Sequence, residues 1–194
     1  TKAGQKEGMP LKDLLEKILP VLEEGRSLRT MSFNEEELKL LKGFQLLTIK
    51  PVLYVANVNE DGFEKNPFLN EIYDIAIEEG SEVVPICAEL EAEISGLINE
   101  EKIEFLKELG LEESGLDRLS RAGYKLLGLH TYFTAGEKEV RAWTINIGDS
   151  APKAAGKIHT DFERGFIRAE TVTFEDYIQN NGEKGSKEAG KLRS

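Results

Sequence analysis

The sequence predicts a mixed α/β fold, in which an α/β region is followed by a smaller α+β module. Two short apolar runs, at residues 51–56 and 83–88, are separated by an amphipathic helical segment. Strand, helix and strand in that order indicate a βαβ unit with parallel strands. From Leu129 the pattern changes to alternating, strand-like segments. The charges divide at the same point, because residues 1–128 carry 15 basic and 26 acidic side chains whereas residues 129–194 carry 10 of each.

Helices are expected before, between and after the two strands. Residues 10–24 repeat leucine and isoleucine at helical spacing, and Asn34 precedes three glutamates in the pattern of an N-cap. Asn66 and Pro67 begin the helix between the strands, and Gly80 ends it. Two further helices are predicted over residues 100–109 and 115–127.

The second region is predicted to combine a hairpin with a helix and a returning strand. Alternating patterns indicate strands at residues 130–133 and 140–147, joined by a turn through Gly136. A helix is expected over residues 151–158, and residues 166–174 are expected to form a further strand. These elements together make a small α+β module.

Composition excludes several classes of protein. The chain has 194 residues, of which 40% are apolar and 31% charged, as in ordinary globular proteins. Cys87 is the single cysteine, so an internal disulfide and a cysteine-based zinc site are excluded. No apolar run is long enough to span a bilayer and no signal peptide is evident, so we expect a cytoplasmic protein without a membrane partner. Oligomeric state is not predictable from these features.

The strongest local signal follows the first apolar run, which is expected to be a strand buried on both faces. Asn57, Val58, Asn59 and Glu60 lie where this strand ends, and ligands of open α/β sheets bind at that edge. In P-loop GTPases an Asn-Lys-x-Asp motif reads guanine at this position, the Asp carboxylate accepting two donors of the base. Here Glu replaces the Asp and Val replaces the Lys, so strict guanine selectivity should be lost.

A second loop follows the next strand at the same predicted edge of the sheet. Cys87 and Ala88 stand where GTPases have a Ser-Ala-Lys-like loop whose backbone N–H reads the base. The structural alternative is that Asn57 only caps a turn, that Asp61 and Gly62 make a tight bend, and that Cys87 is a buried thiol. Two matching loops at this spacing favour a nucleotide site.

Four long segments carry a family resemblance over nearly the whole chain. They are KPVLYVANVNEDGFEKNPFL, VVPICAELEAEI, RAGYKLLGLHTYFTAGEKEVRAWTI and APKAAGKIHTDFERGFIRAE. In these segments the chain resembles the YchF/Obg-like ATPase family, whose Asn-x-x-Glu motif corresponds to Asn57 to Glu60. The resemblance implies a cytoplasmic, ribosome-associated P-loop NTPase that prefers ATP or accepts both ATP and GTP.

The resemblance also implies a domain organisation. Residues 1–30 would be the end of a helical insertion, residues 31–128 the back half of a P-loop GTPase-like parallel sheet with its helices, and residues 129–194 an incomplete TGS domain of the β-grasp type. The sequence has no G-x-x-x-x-G-K-[ST] phosphate loop. Phosphate binding and Mg²⁺ are therefore expected only in the full-length parent, and these residues alone are expected to be catalytically inactive.

Three other patterns are given structural interpretations. Residues 185–191, GSKEAGK, are a near match to a phosphate loop but lack its Ser or Thr, so we interpret them as a solvated polar segment. His159 and Asp161 are expected to form a turn, because no nucleophile is evident nearby. The glutamates of residues 89–93 are expected to be solvated.

The alternative function is a non-catalytic module that binds RNA or the ribosome through residues 129–194. A net acidic body disfavours contact with phosphate backbones, so such contact is expected in this neutral region. The candidate contacts are Arg141, Lys153, Lys157, Arg164 and Arg168. Tyr132, Trp143 and Phe166 could stack on bases, although a core position is preferred for Trp143.

Overall fold

The computed structural model describes residues 2–136 and 138–193, with side chains from Pro10 onward. The chain divides into two compact units, Thr1–Leu127 and Gly128–Ser194. The assignment of three functional domains stays a prediction. Among the described residues, none of the helices combines the length and the apolar character needed to cross a bilayer.

The first unit contains helices around a two-stranded parallel sheet. Its elements are α1 (Lys2–Glu23), α2 (Glu35–Lys42), β1 (Leu53–Asn57), α3 (Pro67–Glu79), β2 (Glu82–Ile86), α4 (Ala88–Ser95), α5 (Asn99–Glu108) and α6 (Gly115–Leu126), with 3₁₀ turns at Leu28–Thr30 and Leu47–Ile49. All the helices predicted in this region are present. Helix α4 was not predicted.

Local sequence signals explain where two of these helices begin and end. Asn34 accepts a hydrogen bond from the backbone N–H of Glu37, and the Glu37 carboxylate accepts one from the N–H of Asn34, which completes a capping box. Asn66 caps α3 before Pro67. Gly80 ends that helix at φ 65°, a left-handed conformation that glycine adopts without a steric penalty.

The βαβ unit has the predicted parallel pairing. β1 and β2 are aligned so that Leu53 faces Glu82 and Asn57 faces Ile86, while α3 and α6 pack against the sheet. The expectation that β1 is buried on both faces was wrong, because Val55 is 45% exposed. In the described chain the sheet consists of β1 and β2 alone. A third strand that could shield Val55 from solvent is therefore missing among the described residues.

The helical part of this unit packs around its own apolar core and is joined to the sheet by Glu79. Leu14, Ile18, Leu28 and Leu41 are at most 3% exposed and form that core. At the end of α3, Glu79 Oε1 accepts hydrogen bonds from Ser27 Oγ at 2.7 Å and Arg29 Nη1 at 3.0 Å. Its Oε2 accepts one from Tyr54 Oη at 2.7 Å. A single carboxylate therefore connects the first 3₁₀ turn, α3 and β1.

The environment of Glu79 predicts a stability contribution that depends on pH. Hydrogen bonds from Ser27 and Tyr54, with the charge of Arg29, hold the pKa of Glu79 below its ordinary value. The unfolded chain therefore takes up a proton here more readily than the folded chain. The stabilisation is present at neutral pH and is lost as the pH falls below about 4.

Glu79→Gln should consequently lower the free energy of unfolding at neutral pH by about 2 kcal/mol, because the neutral amide loses the ion pair with Arg29 and the charge-assisted hydrogen bonds that the carboxylate accepts. Urea unfolding followed by circular dichroism measures this loss, and Glu78→Gln on the exposed side of α3 is the matched control. The difference between wild type and Glu79→Gln should shrink as the pH falls below about 4. A difference that stays constant over that range would contradict the prediction.

The second unit is an antiparallel hairpin followed by short helices. Its elements are β3 (Leu129–Ala135), β4 (Val140–Asn146), α7 (Ala151–Ile158), α8 (Thr160–Arg164), α9 (Phe174–Gln179) and α10 (Glu183–Glu188). The hairpin and α7 confirm the sequence prediction. Tyr132 Oη on β3 donates to the Ala154 carbonyl at 2.8 Å, which joins α7 to the hairpin.

Two predictions about segments after the hairpin were wrong. Residues 166–174 do not form a strand, because their pairing is limited to an isolated bridge between Thr171 and Arg193, and Thr173 instead caps α9. Residues 185–191 are not wholly solvated, since Ser186 lies in α10 with no exposed surface and donates to the Gly182 carbonyl. A Cβ at Gly185 would overlap the Asn180 carbonyl, so glycine permits this close packing of α9 against α10. The β-grasp assignment stays a prediction.

Candidate functional site

The two candidate base-reading loops lie side by side at the carboxyl edge of the parallel sheet. Asn57 is the last residue of β1 and Cys87 directly follows β2, and the register places Asn57 opposite Ile86. The N–H of Val58 donates to the Ile86 carbonyl at 2.8 Å, which extends the pairing beyond the strands. This is the edge at which ligands of α/β sheets bind.

A side-chain hydrogen bond joins the two loops. Asn57 Oδ1 accepts from the backbone N–H of Ala88 at 3.0 Å. Because an N–H can only donate, the carboxamide oxygen must face Ala88 and the amide nitrogen must point the other way. Asn57 is exposed, and its Nδ2 has no partner among the described residues. The result is an oriented amide donor at the surface of the sheet edge.

The Ala88 N–H has a partner within the protein, and its part in base reading stays a prediction. The sequence suggested that a backbone N–H of this loop reads the base directly, but the N–H of Ala88 is already engaged by Asn57. In this structure it orients the Asn57 amide. Cys87 is 3% exposed, which agrees with a buried thiol.

The loop after β1 is a tight turn. Gly62 N–H donates to the Asn59 carbonyl at 2.9 Å, and a Cβ at Gly62 would lie 3.1 Å from Val58 Cβ and from backbone atoms of Asn59. Asn66 Nδ2 donates to the Gly62 carbonyl at 3.1 Å and closes the loop against α3. The predicted bend is confirmed. Glu60, at the tip of this turn, is exposed.

Sequence reasoning missed the role of Glu91. Glu89 and Glu93 are exposed as expected, but Glu91 is 9% exposed. Its Oε1 accepts from the N–H of Gly115 at 2.6 Å and its Oε2 from the N–H of Leu116 at 3.1 Å. Glu91 therefore caps the first turn of α6 from another helix, where the helix dipole favours an anion. Its place beside Leu90 and Ile94 in the buried stripe of α4 was the available signal.

The candidate RNA contacts of the second unit are exposed, and only some are brought together. Lys153 and Lys157 lie one turn apart on α7. Asp149 lies near both, and its pKa is lowered mainly by the backbone N–H of Asn146 and further by the two lysines. Arg141 stacks over the Trp143 ring, with 4.2 Å from Cζ to the centroid. Arg164 and Arg168 are also exposed, and a single basic face stays a prediction.

Trp143 and His159 have structural partners. The core position expected for Trp143 was wrong, because its ring is half-buried on the hairpin under Arg141 and its Nε1 donates to Thr134 Oγ1 at 2.9 Å. His159 Nδ1 accepts from the N–H of Asp161 and caps α8, as the turn interpretation expected.

The described residues offer no ready site for a metal. Nowhere within residues 2–136 and 138–193 do three His, Cys, Asp or Glu side chains cluster as metal ligands. The resemblance implies Mg²⁺ in the full-length parent, but the groups described here do not fit an Mg²⁺ site, so we derive no chemical step through it.

The fold and the paired loops define the class of protein. Its first unit is a mixed α/β unit whose parallel sheet has an edge suited to a ligand, and its second unit is α+β. The family model YchF-GTPase_C, described as a protein of unknown function (DUF933), matches residues 129–194. The chain is 58% identical over 192 residues to a ribosome-binding ATPase YchF of Haemophilus influenzae. The matched region includes 99% of this chain and 53% of that protein. A protein of the same name from Bacillus subtilis is 53% identical over 184 residues, with 93% of this chain and 50% of that protein covered.

Comparison with a solved structure also shows similarity to a YchF protein. The Schizosaccharomyces pombe YchF GTPase superposes with a TM-score of 0.83 at 34% identity, over 97% of this chain and 52% of that one. This chain belongs to the YchF family. It spans about half the length of the curated relatives it matches and corresponds to their C-terminal half.

Proposed function

We propose that this chain provides the base-reading part of the nucleotide site in an ATP-binding hydrolase of the YchF type. The observation that carries the proposal is the Asn57 carboxamide, whose oxygen is fixed by the Ala88 N–H so that its nitrogen is left to donate. The names of the relatives, ribosome-binding ATPases, support ATP as the nucleotide. Binding of the phosphates and of Mg²⁺ is assigned to parts of a longer parent protein.

The chemistry of Asn57 suits a purine without distinguishing adenine from guanine. Both purines present the N7 acceptor, to which the free amide nitrogen of Asn57 can donate. Val58 and the backbone of Cys87 and Ala88 are the groups beside this donor, on the two joined loops. Selection of adenine or guanine must come from a group that meets the remaining edge of the base.

Glu60 is the proposed group for that selection. Adenine presents a donor at N6 where guanine presents an acceptor at O6. In a guanine site, an Asp at this place accepts hydrogen bonds from donors of guanine. Glu60 has a longer side chain and is exposed at the tip of its turn. Its carboxylate is therefore held less firmly in one position. Val58 also lacks the lysine stem that would cover the base. We therefore propose a modest preference for ATP, with GTP also bound.

The combined change Val58→Lys and Glu60→Asp should shift the preference towards guanine. In the full-length protein we expect the ratio of GTP to ATP affinity to rise about tenfold, the size of one added charged hydrogen bond. Competition binding of the two nucleotides measures the ratio. Glu64→Asp, an exposed change of the same kind in the same loop, is the matched control. An unchanged ratio would remove Val58 and Glu60 from base selection.

A second candidate function is ribosome or RNA binding through the second unit. It is supported by the exposed basic side chains and by the Arg141–Trp143 pair, which presents a cation and an aromatic ring together. The two functions are compatible within one protein, because they use different units. Only the nucleotide function requires turnover.

The RNA hypothesis predicts a salt-dependent interaction with ribosomes. If Lys153 or Lys157 contacts a phosphate, its replacement by Ala should lower the slope of log affinity against log salt by about 0.9. Co-sedimentation with ribosomes across a series of salt concentrations measures the slope. Lys184→Ala, an exposed change in the same unit outside the proposed contacts, is the control. A flat salt response of the unmodified protein would exclude phosphate contact.

A further inference from the structure

The first turn of α6 makes three separate contacts with the segment that contains the second candidate base-reading loop, Cys87 and Ala88. Glu91, on the helix that follows the loop, accepts hydrogen bonds from the N–H groups of Gly115 and Leu116. Arg118 Nη2 donates to the Pro85 carbonyl, just before the loop, at 3.0 Å. These contacts bracket Cys87 and Ala88 on both sides along the chain.

The third contact is the close approach of Gly115. A Cβ at this position would lie 2.8 Å from Glu91 Oε1 and 3.0 Å from Ile86 Cγ2. Both distances are shorter than ordinary van der Waals contact, so any larger side chain must push back either the end of β2 or the Glu91 carboxylate. Glycine here therefore permits the seating of the loop against α6.

The loop is in turn connected to the candidate base donor. Ala88 is the first residue of α4, three positions before Glu91, and its N–H holds Asn57 Oδ1. A shift of α4 relative to α6 moves the Ala88 N–H and so releases or rotates the Asn57 amide. We propose that Glu91 is a positioning residue for nucleotide binding, acting through Ala88 on the orientation of Asn57. This inference rests on the proposed base-reading role of Asn57.

The negative charge of Glu91 is required for this role. Both carboxylate oxygens accept from backbone N–H groups at a helix N-terminus, where an anion is stabilised. In Glu91→Gln one oxygen is replaced by an NH₂ group, which cannot accept, so one buried N–H of α6 loses its partner. Gly115→Ala disturbs the same junction without touching the charge and provides an independent second variant.

The test compares binding of ATP with binding of inorganic tripolyphosphate, which has no base, to the full-length protein in the presence of Mg²⁺. Glu91→Gln and Gly115→Ala should each raise the dissociation constant for ATP about tenfold, the effect of losing one oriented hydrogen bond, and leave that for tripolyphosphate unchanged. Glu93→Gln, exposed on the same helix, should change neither. Because Glu91 acts through Asn57, adding Glu91→Gln to Asn57→Ala should cause no further loss of ATP affinity.

Each other outcome is decisive. Equal loss of ATP and tripolyphosphate binding would make Glu91 a general folding residue and overturn the inference. Unchanged ATP binding in Glu91→Gln, with weakened binding in Asn57→Ala, would also overturn it while leaving the proposed function intact. Additive effects in the double variant would exclude action through Asn57. If Asn57→Ala itself leaves ATP binding unchanged, the proposed function fails and the inference fails with it.

Discussion

The 194-residue chain by itself should release no phosphate from ATP or GTP above the background rate. Phosphoryl transfer depends on groups that hold the β- and γ-phosphates and on bound Mg²⁺. The sequence has no phosphate-binding loop, and its near match at residues 185–191 lies partly in α10 with Ser186 buried. The described residues also contain no cluster of three metal-ligating side chains. The expected effect is complete loss of turnover relative to the full-length protein.

Phosphate release in the presence of Mg²⁺, measured for the purified chain and for the full-length protein, tests this prediction. A contaminating ATPase is controlled by carrying Asn57→Ala through the same purification and measuring both proteins at ATP concentrations below KM, where the rate of a contaminant would not respond to the change. Robust turnover by the chain that requires Mg²⁺ and is sensitive to Asn57→Ala would show that these residues hold the phosphates. That result would contradict the assignment of phosphate binding to another part of the parent.

Asn57→Ala in the full-length protein should weaken ATP binding about tenfold. The substitution removes the donor to the purine, a loss worth about 1 to 1.5 kcal/mol. The Ala88 N–H loses its partner in the free and in the bound protein alike, so that second loss does not change the affinity. Since the base is bound alike in the ground state and in the transition state, the change should raise KM for ATP with little effect on kcat.

Steady-state kinetics with ATP over a wide concentration range separate the two parameters. Asn70→Ala, an exposed substitution on α3, is the matched control. An Asn57→Ala protein that folds normally and keeps its KM would mean that Asn57 is only a link between two loops. The structural interpretation of the Asn-x-x-Glu motif would then be correct.

Much of the first unit could be predicted because its signals are local. The capping side chains of Asn34 and Asn66 act within three residues, and Gly80 ends α3 through its own backbone conformation. Adjacency of the loops after Asn57 and Ile86 followed from the parallel order of a βαβ unit. The hydrogen bond from Ala88 to Asn57 did not follow, because it depends on side-chain orientation across 31 positions of sequence.

The features that were missed depend on contacts between distant parts of the chain. Glu91 is acidic, and the partners that make its burial favourable lie 24 and 25 residues later, at the start of α6. Residues 166–174 have a strand-like composition, but their pairing in the described chain is limited to Thr171 with Arg193. Trp143 is stabilised at a half-buried position by Thr134 and Arg141, which composition alone does not reveal.

The central claim is that a purine binds at the carboxyl edge of β1 and β2. The most direct measurement is a crystal structure of the full-length protein with a non-hydrolysable ATP analogue. We expect the purine between the loops that follow β1 and β2, with its N7 within about 3.2 Å of Asn57 Nδ2 and with Asn57 Oδ1 still bound to the Ala88 N–H. An ordered analogue whose purine lies away from both loops would contradict the claim.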